Sequence, residues 1–521
     1  LGTLLAVNRN LIPIAGAVVA LAAASGGVGA PLAAEPAAEI ERITSQAQYQ
    51  NGQWGIAVRD AVTGEQAYAQ NPNRLLVPGS LTKLFSASAA LQARGQNSRF
   101  RTPVHRVGAR NGNRVRALSL VASGDFSFGL RDRNNGTLAF SLEDHNNANA
   151  LGNVTKVTGQ PLRALRQLAR DVRRSGIREV GNVVVDDRLF TTFRGWPDGV
   201  ISPIWVNENL IDITVRPTRA GQAARFSYRP RTPAYRVTSQ VKTGRETDLQ
   251  VTSPRKGVVR ISGTIAAGDG PTVRTWQVED PAMFARSAFI QELERAGVKV
   301  DGPSAGANPS GQLPNSRRYP TSTRVAQWVS SAPFSQYVNV VLKLSYIRGA
   351  DLFACLVGVA GGTRRCETGL ARVTQRVIRL GVPGDRFFNF DGAGSLESNN
   401  VTPNALNALV GAAQSQPWGG AFASALPILG VQGGGSLEFL GTDSPARGKF
   451  TAKTGTRILG PPGAPGGLLA ARGVSGYLEA ASGRQYLVTI ITNGVPFQSV
   501  RETSTVSSDQ IDVVDVLYRS L

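Results

Sequence analysis

At 521 residues the chain is too long for one compact core, which excludes a single small domain and points to two or three. Hydrophobic residues make up 41% of it, with 58 Gly and 29 Pro, which excludes a disordered chain and reads as globular and turn-rich. The net charge of +21 is scattered without a Lys/Arg block, which speaks against nucleic-acid binding and fits peripheral association with a polyanionic envelope.

Arg9 precedes an apolar run from Leu11 to Ala24, and small residues follow to Ala34. A basic start, a short apolar core and small residues for cleavage make residues 1–34 a secretory signal peptide. The chain is therefore expected outside the cytoplasm, in the periplasm or on the extracytoplasmic face of the envelope. Export favours a disulfide between Cys355 and Cys366 over two reduced, buried thiols.

Ala37 to Gln48 reads as a helix. Strands follow at Trp54–Val58 and Gln66–Ala69, with a turn at Thr63-Gly64. Pro78-Gly79 then breaks the chain, and Leu81, Leu84, Phe85 and Leu91 repeat at helical spacing up to Gly95. Ser80 falls in the first turn of that helix, where unpaired N–H groups favour developing negative charge. Lys83 lies three residues on, on the same face, and a lysine walled by apolar neighbours loses proton affinity. Ser80 and Lys83 thus read as a nucleophile and its base. The same spacing recurs at Ser239/Lys242 and Ser253/Lys256, in alternating segments that start no helix.

From about Thr102 the pattern becomes mainly β. Val115–Ser123, Val183–Asp187, Leu210–Val215, Tyr235–Val241 and Val258–Ile265 alternate like strands, and Pro161–Ser175 and Pro281–Ala296 read as helices. Lys242-Thr243-Gly244 reads as the start of a hairpin turn in this region. Helices return at Ser335–Leu344, Ala350–Val359 and Thr368–Leu380, with Ser345 at the end of the first. Asp391-Gly392-Ala393-Gly394 reads as a turn, and Thr402-Pro403 opens another helix. Lys449–Thr456, Leu468–Leu478 and Gln485–Thr492 read as strands, and Ser507–Ser520 as a closing helix. Strands at both ends imply one sheet completed by the two termini. With His105 and His145 as the histidines, and neither in a supporting context, a Ser-His-Asp triad is disfavoured against a lysine-based mechanism.

Ser80-x-x-Lys83, then Ser345 at a helix end, then Lys453-Thr454-Gly455-Thr456 on a late strand form the motif order of the penicillin-recognising serine enzymes. The chain resembles the class C low-molecular-mass penicillin-binding proteins, the D-alanyl-D-alanine carboxypeptidase/endopeptidase family. Ser123-Gly124-Asp125, Val183 to Asp187, Asn207-Glu208-Asn209, Arg348 to Leu352 and Asp391 to Gly394 look like further family landmarks. The resemblance implies an α+β, multidomain protein. Residues 38–103 and 325–521 would form a penicillin-binding transpeptidase-like (serine β-lactamase-like) domain, with helices around an antiparallel sheet. Residues 104–324 would be a mainly β insertion of two subdomains.

The resemblance also implies a serine D,D-peptidase that acts on peptidoglycan D-Ala-D-Ala stems or cross-links and is acylated by β-lactams. Ser80 resembles the acylated nucleophile, Lys83 its base and Ser345 the hydroxyl that relays a proton to the leaving amine. Lys453 would add charge near the substrate carboxylate, with Thr454, Gly455 and Thr456 among the substrate-binding positions. The N–H groups of Ser80 and Thr456 would form an oxyanion hole. No metal or organic cofactor is implied, because side chains supply attack and proton transfer.

Position 347 departs from the family pattern, which places Asn there as a substrate-binding residue; this chain has Ile347. The change is expected to leave a substrate amide, and the Lys83 amine, short of a partner. It supports an alternative reading as a catalytically impaired wall-binding or penicillin-sensing protein. A β-lactamase of the same fold group is disfavoured by the length of the insertion.

Overall fold

The computed structural model describes residues 31–150, 154–460, 466–499 and 501–521. Residues 1–30 of the expected signal peptide lie outside the described residues. No described helix is long and apolar enough to cross a membrane.

The central element is an all-antiparallel sheet in the order Phe450–Leu459, Gly467–Glu479, Gln485–Asn493, Gln53–Asp60, Gln66–Gln70, with Val495–Phe497 paired onto the second strand. Residues from both ends of the chain therefore share one sheet. Alternation along Gln485–Asn493 sends Val488 and Ile490 to one face and Leu487 and Ile491 to the other. On the first face Ile40 and the long helix Glu502–Ser520 complete a core. On the second, the helices Lys83–Arg94, Phe334–Lys343, Ile347–Ala360, Cys366–Arg379 and Pro403–Gln414 build a larger one.

Lys83–Arg94 runs through the middle of that layer, with every side chain from Lys83 to Leu91 buried. Its small residues, Ser86, Ala87, Ser88, Ala89 and Ala90, are what a helix enclosed on all sides requires. The disulfide Cys355–Cys366 joins the helix Ile347–Ala360 to the first residue of Cys366–Arg379.

The expected elements between Thr102 and Ser322 are present, and the strands Arg101–Asn111, Arg225–Arg229, Asp248–Arg255, Thr272–Gln277 and Arg324–Val329 join them. A five-stranded mixed sheet, order Lys299–Val300, Glu179–Asp186, Arg114–Val121, Arg101–Asn111, Arg324–Val329, packs against the helices Arg163–Arg174 and Pro281–Arg295. Arg101 pairs with Val329, so the strands that enter and leave this region lie side by side.

The hairpin expected at Lys242-Thr243-Gly244 does not form. Val258–Ala266 lies between Arg236–Gly244, to which it is parallel, and Asp248–Arg255, to which it is antiparallel. The tight turn is instead Lys256-Gly257, where Gly257 takes φ 74°. Of the two extra Ser-x-x-Lys matches, Ser239/Lys242 lies on Arg236–Gly244 and Ser253/Lys256 runs from Asp248–Arg255 into the tight turn, so neither starts a helix.

Candidate active site

Ser80 sits on a short 3₁₀ turn, Gly79–Thr82, and the α-helix begins only at Lys83. The expected helical first turn is tighter because Gly79 takes φ 52°, a conformation open to glycine. Ser80 and Lys83 still share a face, with Lys83 Nζ 2.6 Å from Ser80 Oγ. Nζ also donates to the Ala393 carbonyl at 2.7 Å. Lys83 is completely buried, and that burial lowers its pKa to about 8 against the opposing charges of Asp351, Asp391 and Asp198. An amine with that affinity can give and take a proton near neutral pH.

The Ala393 carbonyl corrects one expectation. The Lys83 amine is not left short of a partner by Ile347, because the turn Asp391-Gly392-Ala393-Gly394 supplies one. The Asp391 carboxylate shapes that turn by accepting from the N–H groups of Ala393 (3.0 Å), Gly394, Ser395 (2.9 Å) and Leu396 (2.7 Å). Ser86 Oγ donates to the Gly392 carbonyl at 2.6 Å, which fastens the turn to the helix Lys83–Arg94. Gly394 has φ 85°, and a Cβ there would fall 1.8 Å from the Gly79 carbonyl oxygen. The turn is thus pressed directly onto the segment that carries Ser80.

Asp351, given no role in the sequence reading beyond its landmark, accepts from the Gly392 N–H at 3.0 Å. It is fully buried, and burial, then the charges of Asp391 and Asp198, push its pKa well above the carboxylate range.

The opposite wall carries the second pair. Ser345 lies between the helices Phe334–Lys343 and Ile347–Ala360 in a left-handed conformation, φ 59°, which is uncommon for a residue with a Cβ. Lys453 Nζ donates to Ser345 Oγ at 3.0 Å and to the Thr454 carbonyl at 2.7 Å. Lys453 is fully buried, and burial, then Lys83 and Arg472, lower its pKa well below the lysine range.

Lys453 belongs to the outer strand of the sheet, whose outer edge bonds to the 427–429 segment over Phe450–Ala452, just before Lys453. Gly455 sets its approach to the Ser80 segment, since a Cβ there would lie 2.3 Å from the Pro78 carbonyl oxygen and 3.0 Å from Leu81 Cγ. Thr454 Oγ1 shares a hydrogen bond with Ser436 Oγ at 2.7 Å, and Thr456 Oγ1 accepts from Arg472 Nη1 at 2.7 Å. Just past Thr456, Arg457 pairs with Glu397.

Ile347 is the first residue of its helix, half-buried against the apolar core. With Ser345, Tyr346, Arg348, Asp144, Asn146 and Asp198 it lines a cavity of about 120 Å³. It offers that cavity no donor or acceptor.

The histidines are engaged elsewhere. His145 is buried between Asp212 (2.8 Å) and Glu208 (3.2 Å), and these carboxylates outweigh the effect of burial to raise its pKa to about 9. His105 pairs with Thr323 Oγ1 at 2.8 Å. Ser80, Lys83, Ser345 and Lys453 therefore form two hydroxyl–amine pairs. Sequence reasoning missed Ala393, Asp391, Asp351 and Arg472 as parts of this site; an Asp-Gly turn was the one signal for the first two.

The chain is similar to known proteins in sequence and in fold. The family model described as D-Ala-D-Ala carboxypeptidase 3 (S13) matches residues 36–516. A D-alanyl-D-alanine carboxypeptidase of Actinomadura sp. is 26% identical over 518 residues, spanning 94% of this chain and 86% of that protein. Penicillin binding protein 4 (dacB) from Haemophilus influenzae superposes with a TM-score of 0.71 at 17% identity, over 92% of this chain and 99% of that one. The same protein complexed with a novel beta-lactam gives 0.69 at 16% identity, over 93% and 99%. These solved structures share the fold of the chain.

Proposed function

Because the chain belongs to the D-Ala-D-Ala carboxypeptidase 3 (S13) family, we propose that it is an exported serine D,D-peptidase that cleaves peptidoglycan D-Ala-D-Ala stems or cross-links through a Ser80 acyl-enzyme. The observation that carries this reading is Ser80 Oγ at 2.6 Å from a buried Lys83 amine whose pKa is lowered to about 8. Neutral Lys83 takes the Ser80 proton as Oγ attacks the carbonyl carbon of the penultimate D-Ala. The N–H groups of Ser80 and Thr456 receive the developing oxyanion, which the close approach of Gly79 to Thr456 supports. Ser345, hydrogen-bonded to Lys453, relays the proton that Lys83 took to the leaving amine as the C–N bond breaks, which returns Lys83 to its neutral form. Water then attacks the ester, giving a proton to Lys83, which passes it to Ser80 Oγ as the acyl C–O bond breaks.

β-Lactams acylate the same oxygen, and peptide stems and β-lactams are the partners this reading assigns. The long inserted region enters and leaves through the paired strands Arg101–Asn111 and Arg324–Val329, which supports treating residues 104–324 as an insertion with its edges inside that pair. Export rests on the signal-like residues 1–34 and on the peptidoglycan substrate.

Ile347 favours the second reading, a wall-binding or penicillin-sensing protein with weak hydrolysis. Fluorescent penicillin labelling and D-alanine release from a pentapeptide, each on the natural chain and on Ser80→Ala, separate the two. Labelling and release that both vanish in the variant fit a peptidase. Labelling without release fits the sensor. Adduct formation on Ser239 or Ser253 overturns both.

A further inference from the structure

Lys343 ends the helix Phe334–Lys343, two residues before Ser345, and the mechanism gives it no part. Its side chain is buried, and Nζ donates to the Leu426 carbonyl at 2.6 Å and to the Gly434 carbonyl at 3.3 Å. Burial lowers its pKa to about 8. An amine buried between two neutral oxygens is a costly filling, and an unbranched apolar side chain would occupy the same slot without that cost. The two acceptors lie at the two ends of one loop, 426–434, which the amine therefore clamps.

That loop connects the two halves of the Ser345–Lys453 pair. On one side, the Leu429 N–H donates to the Phe450 carbonyl and the Ala452 N–H to the Pro427 carbonyl, each at 2.9 Å. The loop is thus bonded to the strand Phe450–Leu459 up to the residue before Lys453. On the other side, the Ser436 N–H donates to the Lys343 carbonyl at 3.0 Å. Gly435 takes φ 95°, and a Cβ there would fall 3.0 Å from that same carbonyl oxygen and 3.1 Å from Lys343 Cα. Ser436 Oγ then meets Thr454 Oγ1 at 2.7 Å, and the Thr454 carbonyl accepts from Lys453 Nζ at 2.7 Å. These links close a ring around the 3.0 Å bond between Lys453 and Ser345.

We propose that Lys343 is a positioning residue: by clamping the 426–436 loop it holds Lys453 and Thr454 where the proton relay from Ser345 to the leaving nitrogen requires them. The assignment rests on the serine D,D-peptidase reading of this site and adds the residue that sets its second hydroxyl–amine pair. A leaving nitrogen must gain a proton as its C–N bond breaks, in a peptide and in a penicillin ring alike. A thiolate leaves as the anion, and the proton that Lys83 took then passes to water. Loss of the clamp should therefore slow penicillin ring opening and spare a thioester, whose carbonyl meets the same Ser80 and Lys83.

The test compares two leaving groups. Acylation of the full chain is followed with enzyme in excess, as labelling by a fluorescent penicillin and as thiol release from a thioester of an N-acylated D-alanine. In Lys343→Met we expect labelling to slow by about 10- to 100-fold, the scale of a misplaced catalytic group, and thiol release to change by less than about threefold. Ser436→Ala keeps the clamp and removes only the link to Thr454, so it should slow labelling with the same selectivity by about 3- to 10-fold, the range of one hydrogen bond. Adding Lys343→Met to Ser345→Ala should slow labelling no further than about twofold, because the two changes act on one relay. Equal slowing of penicillin and thioester, unchanged labelling, or additive losses with Ser345→Ala overturn the assignment. Should Lys343→Met not fold, Ser436→Ala decides by the same criteria. Absence of labelling in the natural chain defeats the peptidase reading itself, whereas labelling without the selective loss defeats the Lys343 proposal alone.

Discussion

Ile347→Asn tests the reading of the Ser345 segment most directly. Ile347 lines the cavity beside Ser345 while packing part of its side chain on the apolar core. Replacing it with Asn removes roughly 1 kcal/mol of half-buried apolar contact, a modest loss of stability. It also returns one amide donor and one acceptor to the cleft wall. If a substrate amide now lies unpaired there, the penalty is about 1–3 kcal/mol, worth about 5- to 150-fold in rate when felt in the transition state. Lys83 already has the Ala393 carbonyl, so the gain is confined to the substrate. A strained β-lactam needs less positioning than a flexible peptide. Release of D-alanine should therefore rise more than the rate of penicillin labelling, with a small drop in melting temperature. Unchanged or slower peptide hydrolysis in folded variant refutes the assignment of position 347.

The remaining predictions address the base, the close packing and the disulfide. Acylation by penicillin should increase as pH rises through about 8, because Lys83 acts as a base only in its neutral form; Lys83→Ala should slow acylation by about 10²- to 10⁴-fold and flatten the profile. A flat profile in the natural protein would remove Lys83 from that role. Gly455→Ala places a Cβ 2.3 Å from the Pro78 carbonyl oxygen, so overpacking should cost about 1–3 kcal/mol and separate the strand from Ser80; near-natural labelling rates would count against the described approach. Thiol titration under denaturing, non-reducing conditions should find Cys355 and Cys366 blocked, and reduction should cost roughly 2–3 kcal/mol of stability. Two titratable thiols in protein from an oxidising compartment would contradict the bridge.

What was legible in the sequence was local. Ser80 and Lys83 meet because residues three apart on a helical turn share a face, and Lys453-Thr454-Gly455 carries its strand in its own alternation. The fold class came from the resemblance carried by the motif order, while the strands at both ends of the chain implied the one sheet that the termini complete. The carbonyl of Ala393 was invisible, because its direction depends on four backbone N–H groups folding around Asp391 and not on its side chain. Arg472 was hidden for another reason: its importance comes from the register that sets it opposite Thr456. The same limit produced the false hairpin at Lys242-Thr243-Gly244, where a strand later in the chain takes the place between two neighbours in sequence. The strand Arg101–Asn111 was missed because its second half is exposed and rich in Arg, Gly and Asn, which blunts the apolar alternation.

Three backbone segments distant in sequence converge on Ser80, and their contacts explain why so little of the site can move. Gly79 meets Thr456, Gly394 meets the Gly79 carbonyl, and Gly455 meets the Pro78 carbonyl, each at a distance that leaves no room for a Cβ. Behind them stand a fully buried helix, an edge strand held by the sheet, and a turn tied to that helix by Ser86. Preorganisation of this kind holds donors in place before charge develops, so little reorganisation is left for the reaction itself. The consequence is a division of tolerance. Changes at the convergence shift Ser80 relative to the Thr456 N–H and, on the proposed mechanism, should damage every substrate alike. Ile347 lies beside the convergence, where its side chain can change what the cleft recognises without displacing Ser80. Differences between peptide and β-lactam are therefore expected from Ile347 and not from the lysines.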